Sequence, residues 1–391
     1  MTSSRLRFSI LISLVTISGF SQGMLLPLIA IILEQSGVSS SVNGLHATGL
    51  YIGVLLASPF MEKPLQKYGF KPIILVGGLL VFLSLFLFPL WKSLWFWFIL
   101  RLTIGIGDHM LHFGTQTWVT TTASKEKRGK YISLYGLFFA LGFTLGPLMT
   151  RLLSINESLP FIVSGFISLF VWSFMFLIRN KWPDQDMDAA TSSLSSWNRF
   201  SSTLKIAWVA LLPAFGYGFL EATLHGIFPI YGLRIGHDFE IIAFIIPFFA
   251  LGSIILQLPL GILSDRLGRR KVLLGVISGG IICFIVAALY EHSIPVLFIT
   301  FALSGMLVGS LFSLGISYMT DILPKALLPA GNLLCGIFFS LGSILGPYIS
   351  GIIIEWFPGL SFFYIIVIML VILLGVIFVK REPTTSELAI N

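Results

Sequence analysis

Charge is scarce in this 391-residue chain: Asp, Glu, Lys and Arg together make up 10% of it, while 56% is hydrophobic. A soluble globule carries about a quarter charged residues, so this composition is not that of a protein kept in water. The scarcity places the chain in a lipid bilayer. Cysteine is rarer still. Cys283 and Cys335 both fall within apolar runs, and no disulfide framework is implied. Catalytic signatures are missing as well: there is no His-Glu-x-x-His, no Gly-x-Ser-x-Gly and no phosphate-binding loop, and the polar segments are too short for a catalytic domain. These absences argue against a membrane-embedded enzyme and a nucleotide-driven pump. An electrochemical gradient is left as the energy source, and neither a cofactor nor a resident metal is implied.

What the chain has in abundance is long apolar runs. Each is about 20 residues or more, enough to cross a hydrocarbon core of roughly 30 Å. Twelve spans are predicted, at 8–33, 42–61, 72–91, 94–121, 131–153, 159–179, 206–231, 241–263, 272–290, 295–319, 331–355 and 360–380. A membrane barrel would show short alternating segments instead, so the fold class is an all-α membrane protein. The first run begins almost at once and lacks a small-residue cleavage site, which reads as a retained helix.

The basic residues test this layout, because Lys and Arg gather in cytoplasmic loops. With both termini inside, 20 of the 24 basic residues lie on the inner side. Lys92, Arg151 and Arg234 fall outside, and Arg101 lies within a span. The net charge of +7 therefore reflects topology and attraction to anionic lipid, not nucleic-acid binding. The one long polar stretch, 180–205, is rich in Ser and Asp and divides the spans evenly. The expected organisation is a six-helix bundle over 1–179, a cytoplasmic linker over 180–205, and a second six-helix bundle with a short tail over 206–391.

Two stretches in corresponding spans carry nearly the same text. GLFFALGFTLGP at 136–147 and GIFFSLGSILGP at 336–347 agree at eight of twelve positions, including Gly142/Gly342, Gly146/Gly346 and Pro147/Pro347. Duplication of a six-span unit explains the match. The glycines let a neighbouring backbone approach closely, and the proline removes one helical hydrogen bond, so both helices are expected to pack tightly and bend there.

Span count, linker and repeat together resemble the major facilitator superfamily over the whole chain. The strongest local match is Gly-Ile-Leu-Ser-Asp-Arg-Leu-Gly-Arg-Arg-Lys at 261–271, which resembles that superfamily's loop signature through Gly261, Asp265, Arg266, Gly268 and Arg269. In the corresponding first-half loop Gln66 stands where the Asp belongs, so a conformational latch is expected to lean on Asp265. The Gly-x-x-x-Gly-Pro text resembles the motif of the twelve-helix, proton-coupled drug antiporters, although Met149 and Thr150 depart from the usual continuation. The resemblance implies alternating access by two rocking halves around a central cavity bordered by the fourth and seventh spans.

Three charged residues lie well inside the apolar runs: Arg101, Asp108 and Glu221. At about 2.5–3.5 kcal/mol per charge on insertion scales, each is a functional candidate. Arg101, Gly105, Asp108, His112 and Thr115 follow a helical rhythm and should share one face, and Glu221 and His225 repeat an acid–histidine pair four residues apart. Arg101 also resembles the arginine of the superfamily's span-four motif. Such pairs can take up and release protons, since desolvation favours a protonated carboxyl and histidine titrates near neutrality. Three alternatives stand beside this proton relay: a structural pairing of Asp108 with Arg101, a divalent-metal site built from Asp108, His109, His112, Glu221 and His225, and service of either acid as counter-ion to a cationic substrate. His109, Trp118, Tyr217 and Tyr318 are candidates to line the cavity, while Trp91, Trp95 and Trp97 read as interface anchors. The expected function is proton-coupled efflux of amphipathic or cationic small molecules by a monomer in the bacterial plasma membrane. Proton-coupled uptake of a small polar metabolite is the alternative, with divalent-metal transport behind it.

Overall fold

The computed structural model describes residues 4–122, 125–182, 193–324 and 327–380. The predicted inner-side residues Lys325 and Arg381, and 183–192 of the linker, lie outside them. Two compact units emerge: residues 1–189 with 238–247, and residues 190–237 with 248–391. The division falls inside the predicted linker, but that linker is shorter than 180–205. A helix already begins at Ser193, because Leu194, Trp197, Phe200 and Leu204 recur at three- and four-residue spacing with no Gly or Pro between them.

The first unit is built from α1 (Ser4–Gln35), α2 (Ser40–Ala47), α3 (Gly49–Ala57), α4 (Glu62–Tyr68), α5 (Phe70–Leu87), α6 (Leu94–Thr122), α7 (Lys125–Leu145) and α8 (Leu159–Ser173). The second contains α9 (Ser193–Gly226), α10 (Phe228–Arg234), α11 (Phe239–Leu267), α12 (Arg269–Leu289), α13 (Ile294–Val308), α14 (Leu311–Ile322), α15 (Leu328–Trp356) and α16 (Phe363–Val379); residues 239–247 of α11 group with the first unit. Among the described residues, ten helical stretches are long and apolar enough to cross a membrane, and α16 is a shorter apolar helix. The predicted span 42–61 is not one helix. Thr48 bonds both its amide and its hydroxyl to the carbonyl of Leu45, at 3.1 and 2.6 Å, and this local competition separates α2 from α3.

Polarity runs opposite to that of a soluble protein. Phe166, Leu258, Ile282 and Ile372 are exposed, whereas Ser18, Asn43, His46, Arg101 and Asp108 are buried. A hydrocarbon solvent demands this arrangement, since polar groups must find partners inside.

The duplicated text packs equivalently in both units at its first close approach. A Cβ on Gly142 would stand 1.9 Å from the carbonyl oxygen of Thr16 in α1, and one on Gly342 would stand 2.0 Å from that of Phe215 in α9. The partners return the contact: Gly19 lies against the Phe139 carbonyl and Gly218 against that of Phe339. One turn on, the two units part company. A Cβ on Gly146 would meet main chain only, the Met24 amide and the Phe20 carbonyl oxygen, both at 2.5 Å. One on Gly346 would first meet a side chain, the Thr223 hydroxyl at 2.5 Å, and then the Phe219 carbonyl oxygen at 2.6 Å. The expectation that Gly346 packs and bends as Gly146 does is therefore met only in part.

The prolines that follow differ further. After α7 the chain tightens into a 3-10 stretch, Gly146–Ser154, with Pro147 in its first turn. Gly346 and Pro347 instead both sit inside α15, which continues as α-helix to Trp356. A change of helix type marks the expected bend only in the first unit; one missing amide is tolerated where neighbouring groups satisfy the freed carbonyl.

Positive backbone angles carry the duplication further. Among the described residues the glycines with positive φ pair at a separation of 199, as Gly37 with Gly236 and Gly69 with Gly268. Gly268 of the loop signature holds φ at 95°, which explains why that position is glycine. Beside it, Arg270 donates from Nε to the carbonyl of Ile377 at 2.9 Å and from Nη2 to that of Phe378, closing the end of α16. Lys71 donates to the Ile178 carbonyl at 2.7 Å in the first unit, again at a separation of 199. A cation at a helix C-terminus is worth up to about 1 kcal/mol. Arg270→Met should therefore speed hydrogen exchange in the last turn of α16 about fivefold, leaving the earlier turns unchanged.

Candidate functional site

Glycines position the first acid. Gly77 of α5 and Gly107 of α6 each meet the other's carbonyl, so the two backbones nearly touch and the next turn of α6 is drawn into the unit. Asp108 is buried there. Ser18 of α1 donates to its Oδ1 at 2.6 Å, and Gln22 lies beside the same carboxylate. Among the described residues Oδ2 has no hydrogen-bond partner. A cavity of about 10 Å³ adjoins it, lined by Ser18, Asp108, Gly78, Val81, Ser168 and Trp172. That volume is close to the minimum for one water molecule and far below that of any drug-sized ligand.

His112, one turn on, is joined to the acid through Ser18 rather than directly. Its Nε2 lies 3.0 Å from Ser18 Oγ and its Nδ1 2.8 Å from the hydroxyl of Tyr135 in α7, which also contacts Thr115 Oγ1 at 3.0 Å. The predicted face of α6 thus turns toward the interior of its own unit, contacting α1, α3 and α7.

Arg101 does not pair with Asp108. It is fully buried, donating to His46 Nδ1 at 3.1 Å and to the Leu25 carbonyl at 3.0 Å, near Pro27 of α1. Accepting at Nδ1 leaves His46 to donate from Nε2, and that atom lies 3.1 Å from the Leu94 carbonyl. The structural pairing weighed for Asp108 is therefore absent: the guanidinium is committed to α1 and α2, and among the described residues the acid has no ion pair.

In the second unit Glu221 is half-buried and accepts from the Tyr217 hydroxyl at 3.1 Å, while His225 Nδ1 lies 2.8 Å from the backbone carbonyl of Glu221, not from its carboxylate. The Tyr217 ring packs against Phe312 and Phe339, so the tyrosine that holds this acid belongs to an aromatic cluster. Tyr318 is buried. Trp118 is also buried, stacked on Phe70 at 5.3 Å in the apolar core of the first unit, so it does not line open space. His109 turns away from His112 to Ser58, at 3.2 Å. Among the described residues no three His, Cys, Asp or Glu side chains converge on a metal position.

At the loop signature Arg269 pairs with Asp265 and, through Nε at 3.0 Å, with Asp321 at the end of α14; it also donates to Ser264. The signature acid is thus tied within its own unit. Arg266 lies between it and Gly268 in the chain.

Ser18, Ser168, Tyr135 and His46 escaped the sequence reading. Hydroxyls are common in apolar helices, although Ser18, Ser21 and Gln22 do place three polar groups on adjoining turns of α1.

The profile of the Major Facilitator Superfamily matches residues 11–250 and again 214–390. The chain belongs to that superfamily. This superfamily member is 58% identical to YfkF, an uncharacterized MFS-type transporter of Bacillus subtilis, over 94% of this chain and 93% of that protein. It is 23% identical to Multidrug resistance protein 2 of the same organism, over 98% of this chain and 97% of that one. Two solved structures share the fold. The nucleoside transporter NupG is 14% identical with a TM-score of 0.78, covering 96% of this chain and 100% of its own. A bacterial homologue of the human lysosomal transporter Spinster is 16% identical with a TM-score of 0.75, covering 96% and 97%. The chain is a multi-pass membrane transporter, and no catalytic activity is indicated.

Proposed function

We propose that this chain is a secondary transporter that works by alternating access and exports amphipathic or cationic small molecules in exchange for protons. The observation that carries the reading is Asp108: among the described residues a buried carboxylate without an ion pair and with one oxygen unpartnered, beside a space that holds nothing larger than water. An isolated buried charge is expensive, and taking up a proton removes the expense. The acid is thus suited to exchange a proton and unsuited to hold a drug-sized molecule.

The likeness to a protein named for multidrug resistance supports export, as does the Gly-x-x-x-Gly-Pro text. The likeness to NupG supports the fold alone. Divalent-metal transport draws no support from the described residues, where the acids and histidines take separate partners. The placement of basic residues supports both termini lying on the cytoplasmic side of the plasma membrane; in this reading the chain acts as a monomer on a small-molecule substrate.

Inside-out vesicles energised with a proton gradient test the reading. Lipophilic cations added to the parent protein should dissipate the gradient, and Asp108→Asn should abolish that response. Dissipation by metals alone, or uptake of polar metabolites into whole cells with no response in vesicles, would falsify export.

A further inference from the structure

We propose that Tyr135, His112 and Ser18 form a proton relay to Asp108, running inside the first unit from the end that bears the basic stretch 125–130. The inference rests on the proton-coupled reading above and names the route by which the carboxylate is charged. Three consecutive contacts make the route continuous: Tyr135 hydroxyl to His112 Nδ1 at 2.8 Å, His112 Nε2 to Ser18 Oγ at 3.0 Å, and Ser18 Oγ to Asp108 Oδ1 at 2.6 Å. Each lies within ordinary hydrogen-bond distance.

The chemistry of the donors fixes a direction. Ser18 has one proton and gives it to the ionised carboxylate, so it must accept from His112; the ring then carries its proton on Nε2 and accepts at Nδ1 from the phenol. Every donor points toward Asp108. With Asp108 protonated, every donor can reverse, because the phenol has other acceptors waiting: Thr115 Oγ1 at 3.0 Å and the carbonyl of His112 at 3.3 Å. The chain of donors from Tyr135 to Asp108 Oδ1 therefore has two continuous arrangements, one for each state of the acid.

Transfer between them balances. Hydronium from the aqueous phase gives a proton to the Tyr135 oxygen as the phenol proton passes to Nδ1; the Nε2 proton passes to Ser18 as the proton of Ser18 passes to Oδ1. At each site one bond to hydrogen forms as one breaks, and the net change is one proton moved from water to the carboxylate. Tyr135 is 7% exposed and Asp108 1%. Among the described residues no charged side chain faces the acid: α1 brings Ser18 and Gln22, α5 brings Gly78 and Val81, and α8 brings Ser168 and Trp172. Among the described residues α6 brings two ionisable neighbours, His112, already part of the route, and His109, which turns to Ser58 at 3.2 Å.

Infrared spectroscopy after a rapid pH drop, on the purified full chain in lipid, tests the relay. The carbonyl band lost in Asp108→Asn reports protonation of that residue. Tyr135→Phe and Ser18→Ala should keep the amplitude of this band but slow its rise about tenfold, and Ser18→Thr, which retains a hydroxyl, should restore the parental rate. Unchanged rates in both variants overturn the relay while leaving Asp108 as the proton carrier. Absence of any Asp108-dependent band overturns the relay together with that assignment. If Tyr135→Phe fails to yield a monodisperse protein, Ser18→Ala, which removes a single oxygen, decides alone.

Discussion

Gly142→Ala and Gly342→Ala should each lower the thermal midpoint of the solubilised protein by a few degrees, about 2–6 °C, whereas Gly136→Ala and Gly336→Ala should leave it unchanged or raise it slightly. All four glycines belong to the same duplicated text, so each test pair is matched between the two units. What differs is the neighbour. A methyl group on Gly142 or Gly342 would lie 1.9 or 2.0 Å from a main-chain carbonyl oxygen, and main chain cannot rotate aside as a long side chain can. Nothing lies within 4 Å of a Cβ on Gly136 or Gly336. Helices in lipid associate through close packing rather than water-driven burial, so forcing α1 from α7, or α9 from α15, removes the contact that holds them together. Overpacking of this kind costs about 1–3 kcal/mol, while Ala for Gly in an open helix position gains about 0.5–1 kcal/mol. Size-exclusion profiles after graded heating give the comparison. Equal midpoints for Gly136→Ala and Gly142→Ala would mean that the repeat records ancestry without carrying packing.

That contrast shows what the sequence could and could not reveal. Identity between 136–147 and 336–347 was visible and exposed the duplication, but text alone does not say which of its glycines touch a backbone. Nor does it say that Gly346 and Pro347 stay within one α-helix while Gly146 and Pro147 open a 3-10 stretch. Gly268 was legible as a motif position and Gly69 as its counterpart in the first-half loop; the positive φ that both require showed only in the structure. The three intramembrane charges stood out because the bilayer makes charge rare. Their partners did not. A serine such as Ser18, or a tyrosine such as Tyr135, is unremarkable in an apolar helix until another helix brings an acid or an imidazole to it. Helical spacing also misled in one respect: residues four apart share a face, yet His225 bonds the backbone of Glu221 and leaves the carboxylate to Tyr217. The break at Thr48 was hidden for a related reason, since a single hydroxyl bonded to its own helix outweighed an otherwise continuous apolar run.

The surroundings of the two acids predict a division of labour that equilibrium binding can separate from transport. Asp108→Asn should leave the affinity for a lipophilic cation within about twofold of the parent while reducing gradient-driven transport about tenfold or more; Glu221→Gln should weaken that affinity about tenfold, or ~1.4 kcal/mol. The argument is one of access. Asp108 adjoins a cavity of about 10 Å³ inside the first unit, where a proton or a water fits and an organic cation does not. Glu221 is half-buried, hydrogen-bonded to Tyr217, and flanked through that ring by Phe312 and Phe339. A carboxylate beside aromatic faces is the arrangement that attracts an organic cation, through charge and through ring quadrupoles worth about 0.5–2 kcal/mol each. Neutral substrates should bind Glu221→Gln and the parent alike, because they never used the charge. Radioligand binding in detergent, set beside transport by the same preparations in vesicles, reads both quantities. The reverse pattern, with binding lost in Asp108→Asn and coupling lost in Glu221→Gln, would move substrate recognition into the first unit and require that its small cavity open before any cation could enter.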